Sequence, residues 1–419
     1  MKKTIKYFAL LFISLNTFSQ TTKRALFLGN SYTYVNNLPQ ITADIANNMS
    51  DSLIFDSNCP GGYTLQGHST NVTSLNKIMI GNWDFVGLQE QSQRPSFPIA
   101  QVQTDVFPYA RMLDSTINFY NSCAETMFFM TWGRKNGDAS NCPTWPLVCT
   151  YSGMDSLLNL RYQMMADSNN AMVSAVGAVW KNIRQNYPLI ELYQADESHP
   201  SEAGSYAAAC CFYTSMFRKN PLLISYNYTL SATDAANIRT AVKTIVYDSL
   251  MNYNIGAYDP LANCNYTAGA GNLVTFTNQS SNANSYVWYF GDGDSASVSN
   301  PVHTYPASGT YSVMLIANYC SYSDTITLLV NTTSLGINTY DSSALKTYPN
   351  PVNDILIVQL QNIKIENVIL LDALGNYLEF TYRIDKDKIN IDLKSFAPGI
   401  YFIRLNSDGK MLSQKIIKN

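Results

Sequence analysis

The chain has 419 residues, more than one ordinary domain holds, so two or three domains are expected. It is 46% hydrophobic and only 14% charged, the composition of a folded protein. The net charge of −3 comes without a basic stripe, which excludes the footprint of a nucleic-acid binder and gives no reason to expect a membrane-surface partner.

The opening segment, "MKKTIKYFALLFISLNTFSQ", reads as a secretory signal over residues 1–19. Lys2, Lys3 and Lys6 form its charged region, Tyr7 to Leu15 its apolar core, and Thr17-Phe18-Ser19 supplies small residues for cleavage. No later stretch reaches about 18 apolar residues, so no membrane span is expected. Export permits disulfides among the eight cysteines. Cys142 and Cys149 bracket a short loop, and Cys264 and Cys320 fall in one later unit, so both are candidate pairs. No CxxC repeat or His/Cys cluster suggests zinc.

From 22 to 258 the chain alternates short apolar runs with longer helical patterns. The expected strands are Arg24–Leu28, Phe85–Gln89, Met127–Thr131 and Leu189–Tyr193. Between them, "LPQITADIANNM", "FPYARMLDSTINFYNS", "LLNLRYQMMADSNNAMVSAVGAVWKNIRQN" and "SEAGSYAAACCFYTSMF" carry helical spacing. This alternation predicts an α/β fold, a doubly wound parallel sheet with helices on both faces. Sites in such sheets form outside the carboxyl ends of the strands. The first strand delivers Ser31 there, through Gly29 and Asn30.

A serine nucleophile needs a base, and histidine is the usual one. The chain has three: His68, His199 and His303. His303 lies in the later β-rich region, and His68 has no carboxylate near it in sequence. His199 follows Asp196 by three residues and precedes Pro200, read as the start of a helix. A carboxylate so placed can curl back to one imidazole nitrogen and leave the other for a serine. Alternatively, Asp196 and Ser198 merely cap that helix.

Gly29-Asn30-Ser31-Tyr32 near the domain's start and Asp196-Glu197-Ser198-His199-Pro200 near its end resemble the first and last blocks of the SGNH (GDSL-like) hydrolases. Asn30 stands where that family usually has Asp. The resemblance implies a flavodoxin-like three-layer fold, Ser31, His199 and Asp196 as catalytic residues, and no cofactor. It also implies an oxyanion hole from the Ser31 N–H, a glycine N–H and an Asn side chain. Gly62 in "CPGGYTLQGH" is the candidate glycine. The third block offers Gln89 and Gln91 instead of Asn, and Gln89 is favoured. Ser69 in "GHST" is a competing nucleophile, but "GGYTLQ" before it is a poor strand. The aromatics of the long loop after the third strand, Trp132 and Trp145, together with Arg134, are candidate substrate contacts.

Beyond "AYDPLANCNYTAGAGN" the texture becomes that of a small β-sandwich over 264–332, followed by a polar linker over 333–344 and a second β-rich unit over 345–419. "VWYFGDGD", "NPVHTY" and "GTYSV" resemble a PKD domain. "YPNP", "FAPGIYFIRL" and "KIIKN" are similar to the C-terminal sorting domain of type IX secretion cargo. That likeness implies a Bacteroidota-type bacterium, contact with the secretion machinery, and export through the periplasm and outer membrane to the cell surface or medium. The expected function is a secreted serine esterase acting on acyl esters, with the O-acetyl groups of polysaccharide as the foremost candidates. The alternative is a non-catalytic glycan-binding or adhesive surface protein on a hydrolase fold.

Overall fold

The computed structural model describes residues 20–332, 345–360, 367–373, 375–385, 388–407 and 410–419. The signal segment and the linker expected from the sequence lie outside the described residues.

Strands β1 (Thr22–Leu28), β2 (Ser52–Asn58), β3 (Phe85–Leu88), β4 (Glu125–Phe129) and β5 (Met172–Ser174) form a wholly parallel sheet in the order 2-1-3-4-5. All of β3 and the last four residues of β1 are buried, which is why both read as unbroken apolar runs. The helices are α1 (Ser31–Tyr34), α2 (Leu38–Asn48), α3 (Leu65–Thr70), α4 (Val72–Met79), α5 (Ile99–Asp105), α6 (Phe107–Tyr120), α7 (Tyr151–Asn169), α8 (Val176–Asn186), α9 (Glu202–Phe217) and α10 (Ala232–Ile245). Helices α2, α8, α9 and α10 pack on one another, as do α3, α4, α6 and α7, giving the doubly wound arrangement. Helix α9 is buried all round, as its Ala- and Cys-rich sequence requires of a central helix.

Three expectations are corrected. The segment Leu189–Tyr193 is no strand: Leu189 is 98% exposed and only Tyr193 makes a bridge, to Pro200. The fifth strand is instead β5, within a stretch read as helical. Helix α9 begins at Glu202, not at Pro200.

The strands from Cys264 to Asn331 build antiparallel sheets of three and four around Phe276, Trp288 and Phe290. The last unit is two antiparallel four-stranded sheets around Leu356, Leu370, Ile391 and Ile403. The first sandwich is stapled to the α/β unit. Cys320 pairs with Cys123, not with Cys264, which is a half-buried free thiol. Tyr322 Oη donates to Glu125 Oε1 at 2.6 Å and Tyr319 Oη to the Ser122 carbonyl at 2.8 Å. Glu125 opens β4, so the sandwich docks at the amino end of the sheet, opposite Ser31. The Cys142–Cys149 bridge forms as expected.

Candidate active site

The order 2-1-3-4-5 puts the topological switch point between β1 and β3, where parallel sheets place their ligands. Both neighbouring strands deliver site residues there. After β1 the chain turns through Gly29, where a Cβ would stand 2.7 Å from Gln89 Oε1, so only glycine allows this approach. Asn30 then caps α1, its Oδ1 accepting from Tyr32 N at 3.1 Å. Ser31 is thereby the first helical residue, and its N–H has no acceptor within the helix.

His199 Nε2 lies 2.8 Å from Ser31 Oγ. Its Nδ1 is hydrogen-bonded to Asp196 Oδ2. An ionised carboxylate only accepts, so Nδ1 carries the proton and Nε2 is left to accept from the serine. Asp196 Oδ1 accepts from the N–H groups of Ser198 (3.1 Å) and His199 (3.0 Å). Partial burial opposes ionisation of Asp196, but the bonds from His199 and from these N–H groups outweigh it and hold the carboxyl below its ordinary value. Capping of α9 falls to Ser201, whose Oγ accepts from Gly204 N at 3.1 Å, so Asp196 and Ser198 are not its cap.

The His199 loop is braced from two sides. Glu197 is held at φ 58°, in the left-handed region, while its carbonyl accepts from Lys135 N at 3.0 Å and its carboxylate from Asn136 Nδ2 at 2.8 Å. Beneath lies an aromatic stack. Trp132 is sandwiched between Tyr32 (4.8 Å) and Trp180 (3.7 Å), and Tyr32 meets His199 edge-on at 5.3 Å. Trp132 Nε1 donates to the Ser198 carbonyl at 3.1 Å, and Tyr32 Oη lies 2.6 Å from Ser198 Oγ. Trp132 is wholly buried, so it supports this loop and offers no face to a substrate. Trp145 is half-buried and donates to the Ser96 carbonyl; Arg134 pairs with Asp138 at 3.5 Å.

Gly62 sits at φ +69° with open space around its Cα, on the loop between β2 and α3. Asn30 Nδ2 holds that loop by donating to the Tyr63 carbonyl at 2.9 Å. An ionised Asp at position 30 would have no such donor, which accounts for the amide here. Gln89 departs from expectation. It is buried, and its Nε2 donates to Asn30 Oδ1 at 2.6 Å and to the Glu90 carbonyl at 3.0 Å, while Oε1 accepts from Asn30 N and Thr33 Oγ1. With both amide hydrogens committed to the turn, Gln89 braces the loop that carries Ser31 and has none left for an oxyanion. Gln91 is half-exposed, its Nε2 donating to Gln93 Oε1 at 3.1 Å and more weakly to Ser92 Oγ at 3.5 Å. Glu90, between them, is fully buried, a position no sequence pattern flagged.

The other two histidines are structural. Burial lowers His68 to about 4 and keeps it neutral; its Nε2 donates to the Gly29 carbonyl at 2.9 Å and its Nδ1 accepts from Ser74 Oγ at 2.8 Å. Ser69 Oγ, the rival nucleophile, donates to the Gln66 carbonyl at 2.8 Å. His303 stacks on Phe290 and bonds Asp292 at 2.7 Å. Asp292, Asp294 and His303 bring ligand atoms within 4.8 Å of one another, in the sandwich and not at Ser31. A cavity of about 690 Å³ also lies away from Ser31, between α6 and the sandwich, lined by residues such as Arg111, Asn118 and Asn284.

Residues 260–330 match the family model of the PKD domain, and residues 346–419 that of the secretion system C-terminal sorting domain. The sorting domain assigns the chain to export, with a secreted or surface location. Among the described residues no helix is long and apolar enough to cross a membrane. No curated protein matches the chain. Among solved structures, a DUF4886 family protein from Bacteroides uniformis is similar at 14% identity, over 55% of this chain and 95% of its own, with a TM-score of 0.48. A protein from Slackia heliotrinireducens, described as an SGNH hydrolase, is similar at 26% identity over 47% of this chain and all of its own (TM-score 0.38). The PKD1 domain of a Vibrio cholerae metalloprotease is similar at 30% identity over 18% of this chain and 99% of its own (TM-score 0.17).

Proposed function

We propose that the protein is an exported serine hydrolase of the SGNH type that cleaves carboxylic esters, with O-acetyl groups on carbohydrate as substrate. The observation that carries this reading is the chain of hydrogen bonds from Ser31 through His199 to Asp196 at the switch point of the sheet. The chemistry is assigned to residues 22–258, with 264–332 and 345–419 as accessory units.

Ser31 Oγ attacks the ester carbonyl as His199 Nε2 takes its proton. Asp196 keeps the imidazole in the competent tautomer and stabilises the imidazolium. The tetrahedral oxyanion is held by the Ser31 N–H and the Gly62 N–H. The third place falls to Gln91, whose Nε2 must leave Gln93 Oε1 and Ser92 Oγ to reach it, since the Gln89 amide is committed inside the buried turn. Collapse expels the alcohol, which takes the proton from His199. Water, activated by the same imidazole, then releases the acid from Ser31.

Treatment with diethyl p-nitrophenyl phosphate followed by peptide mapping tests this reading. A diethylphosphoryl group on Ser31, with parallel loss of hydrolysis, is expected. Inactivation with the label elsewhere, or no labelling of the folded protein, contradicts it.

A further inference from the structure

Glu90 is the buried ionisable group at the switch point that the acyl transfer above leaves unused. It follows β3 by two residues, is wholly buried, and makes no ion pair among the described residues. Each carboxylate oxygen instead takes a backbone N–H: Oε2 from Leu65 at 3.2 Å, Oε1 from Gln91 at 2.6 Å. Its own backbone is tied in as well. The carbonyl accepts from Gln89 Nε2 at 3.0 Å and Asn30 Nδ2 at 3.4 Å, and the N–H donates to Tyr162 Oη at 3.3 Å.

The two N–H groups belong to different segments. Leu65 opens α3, directly after the loop that carries Gly62 and Tyr63. Gln91 belongs to the loop that leaves β3. The Glu90 carboxylate therefore spans the two segments that hold the oxyanion donors, while Asn30 joins both to the nucleophile's turn. Burial pushes Glu90 up to about 7; the two N–H bonds and Arg94 oppose that rise, and Asp105 adds to it. A buried carboxyl with no ion-pair partner is costly, and an apolar or amide side chain would fill the space more cheaply. An amide, though, has one acceptor where this position uses two.

We propose that Glu90 is a positioning residue for the oxyanion site, its two carboxylate oxygens fixing the Gly62 loop and the Gln91 loop relative to Ser31. The inference rests on the ester-hydrolase reading. Loosening a donor removes stabilisation made only in the transition state, so it lowers kcat and leaves ground-state binding of a small ester nearly unchanged.

The test measures kcat and KM for p-nitrophenyl acetate, with thermal midpoints, in the wild type, Glu90→Gln, Glu90→Asp and Ser31→Ala. Glu90→Gln keeps the shape and sets an NH₂ against a backbone N–H. It is expected to lose roughly 10–100-fold in kcat, with KM within about threefold, short of the 10²–10³ for a donor removed outright. Glu90→Asp keeps both acceptors on a shorter arm and is expected to recover part of that loss. A folded Glu90→Gln with wild-type kcat, or a loss confined to KM or to thermal stability, overturns the proposal. Where Glu90→Gln does not fold, wild-type kcat in folded Glu90→Asp overturns it. Equal rates for the wild type and Ser31→Ala refute the hydrolase reading itself, which separates the two failures.

Discussion

Asn30→Asp converts the turn to the residue the SGNH family usually carries, and here it should be harmful. Asn30 is 2% exposed and donates from Nδ2 to the carbonyls of Tyr63 and Glu90, at 2.9 and 3.4 Å. Its Oδ1 accepts from Tyr32 N and Gln89 Nε2, contacts an aspartate would keep. The damage falls on the Nδ2 side. An ionised Asp leaves buried carbonyls without a donor and faces them with charge, at about 1–3 kcal/mol per unmet group. Keeping a proton on the carboxyl instead preserves one bond, and costs about 1.4 kcal/mol for each pH unit above the ordinary carboxyl value near 3.9. That is about 1.5 kcal/mol near pH 5 and above 5 kcal/mol near pH 8, so the ionised form takes over as pH rises. The cheaper route at each pH sets the loss: near pH 5 protonation plus the one carbonyl still unmet costs about 2–4.5 kcal/mol, growing to the ionised form's about 2–6 kcal/mol near pH 8. Urea unfolding of both proteins at the two pH values measures it. Equal stability at both, or a deficit that grows towards acid, would refute the account of this turn.

Two further outcomes follow from the structure. His68 is lowered from 6.5 to about 4, so it binds a proton more readily in the unfolded chain; its contribution to stability is present above 6.5 and lost as pH falls through about 4. That contribution reaches at most about 3 kcal/mol, and His68→Gln should flatten the acid limb of a stability–pH curve; an unchanged limb would be the contrary result. Replacing Cys123 and Cys320 together by Ser opens a bridge between residues 197 apart, which chain-entropy reasoning values at about 5 kcal/mol. Calorimetry should then show the sandwich melting apart from the α/β unit, with p-nitrophenyl acetate hydrolysis unchanged, because the bridge lies at the far end of the sheet. A single transition at the wild-type temperature would count against the staple.

Much of this was legible in the sequence, for reasons that differ by element. Strands β1, β3 and β4 announced themselves because burial on both faces demands continuous apolar runs. Strand β2 is an edge strand with Asp56 and Ser57 half-buried, so its pattern is diluted, and β5 is three residues long inside a helical texture. The exposed Leu189 run carries strand-like residues but turns into the loop that holds Asp196 and His199. That Ser31, His199 and Asp196 meet in one chain of hydrogen bonds was readable because two short blocks and a scarcity of histidines narrowed the choice. Cys123 could not be matched to Cys320 by spacing, since their meeting depends on how two units dock. Gln89 and Glu90 were opaque for a related reason. Which of three neighbouring polar side chains points outward is decided by bonds to Asn30, Leu65 and Gln91, and local sequence does not encode those contacts.

The central claim is that Ser31, activated by His199 and Asp196, is the nucleophile of an esterase. Its most direct test is the hydrolysis of p-nitrophenyl acetate by the purified protein and by Ser31→Ala, with folding checked by circular dichroism. The account predicts turnover by the wild type and loss of at least about 10³-fold in the variant. Equal rates in two equally folded proteins would contradict it.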